Sequence, residues 1–203
     1  MRSDCTLRWA TRLLAMGIMS TLLMAGLGAC TRSEEGASAG SAATASVVRA
    51  NADMAKSLNL ADLQDMDDAK RGFVAKPSGR IMAADGMVLR DFDAYGFLDG
   101  PSPDTVNPSL WRHAQINAQV GLFKVTDGVY QLRGFDIANM TLIEGDTGLI
   151  VVDPLSARES ASFALAFARQ HLGNKPVTGL IMTHAHADHF GGALGVILSL
   201  IHI

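Results

Sequence analysis

The segment Thr183-His-Ala-His-Ala-Asp-His-Phe190 decides the interpretation of this chain. It places three imidazoles and one carboxylate within a few positions, on His184, His186, Asp188 and His189. Imidazole and carboxylate are the ligands that zinc and related divalent metals take in proteins. The segment therefore predicts a metal site, and a solvated polar loop is the alternative.

The flanks of this segment place it between a strand and a helix. The apolar run from Val177 to Thr183 predicts a short buried strand, and Phe190 to Gly195 predicts a tight turn into a helix. His184 and His186 are two positions apart, so in an extended segment they point the same way. The two later ligands follow a turn and can face a second ion. One short loop is therefore expected to begin two adjacent metal sites.

The length and composition limit which kinds of protein this chain can be. The chain has 203 residues, is 48% hydrophobic and carries a formal net charge of -3. That length allows one domain with a real core. There is no basic run, no aromatic-basic interleaving and no glycine-rich phosphate loop. We therefore expect no nucleic-acid partner.

Residues 1–29 have the pattern of a lipoprotein signal peptide. Basic residues precede an apolar run from Leu13 to Leu27, which is short for a membrane span. The run ends in Leu27-Gly-Ala-Cys30, which resembles a bacterial lipobox. We expect cleavage before Cys30 and a lipid on its thiol. The alternative is simple secretion, with Cys30 a passive small residue.

The same region predicts where the protein resides. An Arg-Arg pair is absent from the leader, which favours general secretion over the twin-arginine route. Thr31 rather than Asp follows Cys30, which favours the periplasmic side of the outer membrane. A soluble periplasmic or secreted protein is the alternative. The other cysteine, Cys5, lies in the leader, so the mature chain cannot form an internal disulfide.

The remaining chain divides into a tether, a domain and a tail. Residues 30–57 are rich in Ala, Ser, Gly and Thr and predict a flexible tether. The folded domain is expected over residues 58–197. Residues 198–203 match what a common transposon-end sequencing adapter encodes in one reading frame, which predicts a non-native tail. The alternative is a genuine apolar tail.

Within the domain, patterning predicts a sheet covered by helices, an α/β (α+β) fold. A helix is expected over Asn59–Arg71 and a hairpin within residues 80–92. A second helix, Ser156–His171, is expected to end at Gly173. Its predicted inward residues are Phe163, Leu165, Ala166 and Phe167. The predicted strands are Leu122–Val125, Val129–Leu132, Met140–Glu144 and Leu149–Val152.

The motif H-x-H-x-D-H resembles that of the metallo-β-lactamase superfamily. Further segments narrow the resemblance to its alkylsulfatases, the dodecyl-sulfate hydrolases; they are Thr105–Trp111, Gly121–Val125, Tyr130–Gly134 and Asp136–Thr141. The resemblance implies an αββα sandwich of which this chain holds the N-terminal half. It also implies two zinc ions per complete site, hydrolysis of alkyl sulfates to alcohol and sulfate, and a homodimeric full-length parent.

The resemblance also implies roles for residues of the loop. His184 and His186 would hold one ion, and Asp188 and His189 would help to hold the other. Asp188 is also the candidate catalytic proton acceptor, although a metal-bound carboxylate is a poor base. Asp153, which ends an apolar strand, would hydrogen-bond and orient the metal loop. The alternative for Asp153 is a turn-initiating residue before proline.

Three polar residues of the family-like stretch are candidates for substrate binding, namely Arg133, Asn139 and Thr141. They are expected to line the site of the sulfate anion. An ion pair between Arg133 and Asp136, with no role in binding, is the alternative.

No Glu or His ligand follows the loop except His202, in the predicted non-native tail. We therefore expect a truncated, inactive chain. Two other functions stay open. One is a hydrolase of the same fold that acts on a lactam, lactone or thioester, and the other is a non-enzymatic envelope lipoprotein.

Overall fold

The computed structural model describes residues 42–197. The predicted signal peptide, Cys30, the first part of the tether and residues 198–203 lie outside the described residues. Between residues 42 and 197, no helix combines the length and the apolar character needed to cross a membrane.

Eight strands organise the described chain. They are β1 (Phe73–Ala75), β2 (Arg80–Met82), β3 (Val88–Asp91), β4 (Gly121–Thr126), β5 (Val129–Arg133), β6 (Met140–Glu144), β7 (Leu149–Val152) and β8 (Val177–Ile181). Six form one sheet in the order β1-β4-β5-β6-β7-β8, while β2 and β3 form a separate hairpin. All neighbours in the large sheet are antiparallel except β7 and β8, which are parallel. The predicted hairpin and strands are confirmed.

Five α-helices accompany the strands in residues 42–197. They are α1 (Ala45–Ser57), α2 (Gln64–Lys70), α3 (Pro108–Asn117), α4 (Arg158–Leu172) and α5 (Ala193–Val196). Helix α4 is the crossover between the parallel strands β7 and β8. It ends at Gly173, whose φ of 87° lies in the positive region that glycine adopts more readily than other residues. The predicted end of this helix is confirmed.

Part of the expected flexible tether is helical. Residues 45–57 form α1, and the Thr44 hydroxyl caps it by accepting a hydrogen bond from the Val47 amide. Alanines favour the helix, since alanine has the highest helix propensity. The Asn51 side chain donates to the Asp104 carbonyl at 2.7 Å, which ties α1 to the segment before α3. Residues 45–57 are therefore helical, where the sequence predicted a flexible tether.

The helix expected over residues 59–71 is also shorter than predicted. It begins only at Gln64, whose amide donates to the Asp62 carboxylate at 3.0 Å. Arg112 of α3 binds the Asp62 carbonyl and the Asp65 carboxylate. These contacts satisfy the preceding backbone outside a helix, so the apolar spacing there does not become a helical face.

The core lies between the sheet and α4. The buried side chains of the sheet include Leu122, Leu132, Met140, Leu142, Leu149 and Val151, and those of α4 include Ala161, Ala164, Leu165 and Ala168. The helix residues follow the i, i+3, i+4, i+7 spacing of one helical face. Phe163 and Phe167 pack against this core at its margin. Ala166 was predicted to face inward, but it is exposed because it lies off that face.

The opposite face of the sheet is only partly covered. Pairing aligns Gln131, Thr141, Val152 and Ile181 across β5 to β8 on this face. Their side chains range from half-buried to exposed, and Ile181 is 49% exposed. The strand predicted over residues 177–183 is confirmed as β8, but the prediction that it is buried is wrong. Strand β8 is the edge of the described sheet, and nothing in residues 42–197 pairs with its outer side.

Candidate metal centre

The parallel pairing of β7 and β8 creates the candidate site. Because parallel strands end at the same edge, Asp153 after β7 and Thr183 after β8 come together. The Asp153 amide donates to the Ile181 carbonyl at 2.9 Å, which continues the pairing past the strand ends. The loop that begins at Thr183 therefore starts beside Asp153, although about 30 residues separate them.

Asp153 is a buried carboxylate that is fully engaged by this loop. It is 8% exposed. Its Oδ1 accepts from the Thr183 amide at 2.8 Å, and its Oδ2 lies 2.7 Å from the Thr183 hydroxyl and 2.8 Å from Nδ1 of His189. Burial raises the pKa of Asp153, but hydrogen bonds from Thr183 and His189 outweigh it, so the pKa lies below its ordinary value. The carboxylate stays charged and orients both ends of the loop.

The backbone beside this carboxylate is strained. Asp153 and Leu155 have φ angles of 55° and 66°, and they are the only non-glycine residues with positive φ in residues 42–197. Such conformations persist where the surroundings hold them, often at functional sites. One restraint is visible, since the Leu155 carbonyl accepts from the Gly192 amide at 2.8 Å. A Cβ on Gly192 would lie 2.1 Å from the Pro154 carbonyl oxygen, so only glycine allows this approach.

The three imidazole rings of the loop lie close together. The ring centroid of His184 lies 4.7 Å from that of His186 and 4.0 Å from that of His189. Nε2 of His189 lies 3.3 Å from Oδ2 of Asp188. The four predicted ligands therefore lie on one loop, with Asp153 beneath it. A 3-10 turn over Ala187–His189 produces the change of direction expected between the two pairs.

The donor chemistry of this cluster suits a divalent metal. Two donors held about 2.1 Å from zinc at a tetrahedral angle lie about 3.4 Å apart, close to the spacing between His189 Nε2 and Asp188 Oδ2. Because His189 Nδ1 points to the carboxylate of Asp153, its Nε2 is the nitrogen left for a ligand. Among residues 42–197, no three His, Cys, Asp or Glu side chains converge in one ready metal group. The loop thus offers pairs of donors.

The contacts of the three candidate substrate-binding residues do not include the imidazole cluster. The guanidinium of Arg133 lies 4.4 Å from the Phe123 ring centroid, and its Nε donates to Gln131 Oε1 at 2.7 Å. Burial lowers the pKa of Arg133 from its ordinary value. Within the described chain, no hydrogen bond joins Arg133, Asn139 or Thr141 to the loop. Asn139 is exposed before β6, and Thr141 lies on the partly covered face of the sheet.

The alternative pairing of Arg133 with Asp136 is not formed. Asp136 instead accepts hydrogen bonds from the amide and hydroxyl of Ser156. This contact ties the loop after β5 to the strained segment after β7. Because Ser156 directly follows Leu155, Asp136 helps to hold the strained segment that supports the metal loop.

Sequence reasoning missed three contributors to the site. Thr183 is the contact between Asp153 and His184, and its only sequence signal is its place just before His184. Gly191 and Gly192 were assigned to a turn, whereas a Cβ on either would meet backbone oxygens of residues 154–157 at 2.1–2.7 Å. Their close approach depends on chain crossings that patterning does not reveal.

Comparison with known proteins gives a consistent assignment. The sequence profile of the metallo-beta-lactamase superfamily matches residues 133–200. The chain is 47% identical over 154 residues to alkyl/aryl-sulfatase BDS1 of Saccharomyces cerevisiae, with 75% of this chain and 24% of that protein aligned. It is 48% identical over 156 residues to an (R)-specific secondary-alkylsulfatase of a Pseudomonas species, covering 76% and 24%.

A solved structure agrees in fold. The stereoselective inverting sec-alkylsulfatase Pisa1 from a Pseudomonas species superimposes with a TM-score of 0.74 at 48% identity, covering 77% of this chain and 25% of that one. The chain thus spans about a quarter of the length of these relatives. The expected superfamily fold and the resemblance to alkylsulfatases are confirmed for that part. Over this part, the chain is similar in sequence and fold to the alkylsulfatases of the metallo-β-lactamase superfamily.

Proposed function

We propose that the complete protein hydrolyses alkyl sulfate esters to an alcohol and inorganic sulfate with a pair of zinc ions. The observation that carries the proposal is the imidazole and carboxylate loop held on buried Asp153, in a chain 47–48% identical to alkylsulfatases. When bound, such ions lower the pKa of a water molecule and supply hydroxide at neutral pH.

The residues of the loop divide between the two ions. His184 and His186 hold one ion, and His189 and Asp188 help to hold the other. Asp153 keeps the His189 ring turned so that Nε2 faces the carboxylate of Asp188. Asp188 is the candidate proton acceptor, but its place as a ligand limits its basicity.

Substrate binding is assigned to the stretch that precedes β7. Arg133, Asn139 and Thr141 are proposed to contact the sulfate, and Arg133 contributes the positive charge. Its guanidinium is only partly buried, and its Nε is oriented by Gln131. A long alkyl chain needs an apolar surface, for which the partly covered face of the sheet is one source of side chains.

The location and assembly of the protein are part of the proposal. A lipid on Cys30 would anchor the protein to the periplasmic side of the outer membrane, and the complete protein would be a homodimer. The substrate is a small amphiphile, and no nucleic-acid partner is proposed. With a lipid anchor, the enzyme would meet such amphiphiles at the membrane surface.

The deciding experiment measures sulfate release from dodecyl sulfate by the complete gene product. The locus is first resequenced to define the reading frame past Ile197. We expect sulfate release that chelator abolishes and added zinc restores, with His186→Ala inactive. Turnover of a lactam, lactone or thioester without any sulfate release would support another hydrolase of this fold instead. A complete protein without any of these activities would support the envelope-lipoprotein alternative.

The 203-residue chain itself is proposed to be inactive. Its loop supplies two donors for each ion, whereas catalytic zinc takes about three protein ligands. We expect weak zinc binding and no sulfate release above a metal-free control. Two tightly bound zinc ions with turnover by this chain would refute the proposal.

A further inference from the structure

A chain of three short contacts links Asp153 to His184 through Thr183. The Thr183 hydroxyl oxygen lies 2.7 Å from Oδ2 of Asp153 and 2.9 Å from Nδ1 of His184. The same Oδ2 lies 2.8 Å from Nδ1 of His189. One carboxylate oxygen therefore reaches one histidine directly and another through a hydroxyl.

Counting protons fixes the direction of these hydrogen bonds. An ionised carboxylate only accepts hydrogen bonds, so the single hydroxyl hydrogen of Thr183 is donated in a hydrogen bond to Asp153. The hydroxyl oxygen can then only accept from His184, which places a proton on Nδ1 of that ring. The neutral ring keeps a lone pair on Nε2, the nitrogen turned away from Thr183.

We propose that Thr183 is a positioning residue that sets the tautomer of His184, leaving Nε2 free to bind metal. This inference deepens the proposed function and rests on it for its purpose. Asp153 sets the same tautomer in His189 by direct contact. Thr183 and Asp153 together thus prepare one ligand for each of the two proposed ions, before any metal arrives.

The geometry of the segment explains why a hydroxyl is needed at this position. The Thr183 amide donates to Oδ1 of Asp153, so the residue is held at both its backbone and its side chain. His184 is the next residue and is exposed, and its ring lies beside those of His186 and His189. The contact at Nδ1 is the only side-chain hydrogen bond of His184 in the described residues.

The test reads the tautomer directly, without metal or substrate. The 203-residue chain is labelled with ¹⁵N-histidine, and imidazole ¹⁵N shifts are recorded near pH 8. Thr183→Val removes the hydroxyl and keeps the branched shape, and Thr183→Ser restores it. Thr178→Val is the matched control, because Thr178 lies in the same β8 strand with its hydroxyl 3.4 Å from the Leu149 carbonyl.

We expect His184 to carry its proton on Nδ1 in the wild type, in Thr183→Ser and in Thr178→Val. In Thr183→Val, we expect the proton of His184 to move largely to Nε2, while His189 keeps its proton on Nδ1. Titration with zinc against a chelator should show about 10-fold weaker binding in Thr183→Val only. A wild-type His184 protonated on Nε2, or a Thr183→Val variant with an unchanged tautomer, overturns the inference. The test measures no turnover, so a failure of the proposed sulfatase activity would not change its result.

Discussion

Oδ2 of Asp153 and Nδ1 of His189 meet at 2.8 Å although 36 residues separate them along the chain. The contact joins the end of β7 to the far end of the loop that follows β8. It leaves Nε2 of His189 beside the Asp188 carboxylate, at 3.3 Å. A buried charge that only orients other groups is costly unless it is fully hydrogen-bonded, and Asp153 meets that condition.

Replacing His186 with alanine should remove most of the metal bound by the complete protein. A lost imidazole is a lost metal bond, and the remaining donors of that ion are too few. Elemental analysis after gel filtration measures the zinc per chain, and sulfate release is expected to vanish. His113→Ala is the control, since His113 is an exposed residue of α3. A His186→Ala protein with both ions and full turnover would show that this residue is no ligand.

Replacing Asp153 with alanine should weaken metal retention less severely than His186→Ala. Loss of a group that orients a ligand typically costs about 10–100-fold in affinity or activity. Competition with a chelator gives the change in zinc Kd. Asp153→Ala should also destabilise the fold, because the Thr183 amide loses its acceptor. An unchanged zinc Kd would contradict the orienting role.

Replacing Gly192 with alanine should destabilise the protein by about 1–3 kcal/mol. The new Cβ would lie 2.1 Å from the Pro154 oxygen and 2.7 Å from the Ala157 oxygen, both backbone atoms that cannot move without shifting the metal loop. Urea unfolding measures the effect. Gly96→Ala is the matched control, because its Cβ would meet nothing within 4 Å. Equal stability of the two variants would disprove the close-packing argument.

The pair of Asp65 and Arg112 should make stability depend on pH in the acid range. Arg112 donates to the Asp65 carboxylate and holds its pKa below the ordinary value. A depressed carboxyl pKa stabilises the fold above the ordinary value, and the contribution is lost as pH falls through the folded value. Between pH 6 and pH 3, the difference in unfolding free energy between wild type and Asp65→Asn should therefore shrink.

Asp67→Asn serves as the control for that measurement, since Asp67 is an exposed residue of the same helix. It should show a smaller difference from wild type at pH 6. If Asp67→Asn and Asp65→Asn behave alike across this range, the contact with Arg112 does not stabilise the fold.

Expression in a bacterial host should yield a mature protein that begins at Cys30 and carries lipid there. The basic, apolar and Leu27-Gly-Ala-Cys30 series motivates this expectation. The mass of the N-terminal peptide measures the modification, and Cys30→Ser should lose membrane association. An unmodified N-terminus at another residue, with Cys30→Ser equally membrane-associated, would refute it.

The chemical character of this protein is written locally in its sequence. The four donors from His184 to His189 lie on one short segment, so their clustering needs no long-range information. The strands and α4 follow from patterning, because alternating and helical periodicities are local properties. The hairpin turns likewise follow from glycines such as Gly86 and Gly128, which adopt positive φ.

Tertiary structure alone decided how the loop is supported. The parallel pairing of β7 with β8 brings Asp153 against Thr183 and His189, and the hydroxyl of Thr183 gains its role only there. The exposure of Ile181 was likewise settled by the neighbours that β8 meets. Periodicity reports which side of an element is apolar, but burial and hydrogen-bond partners depend on residues distant in the chain.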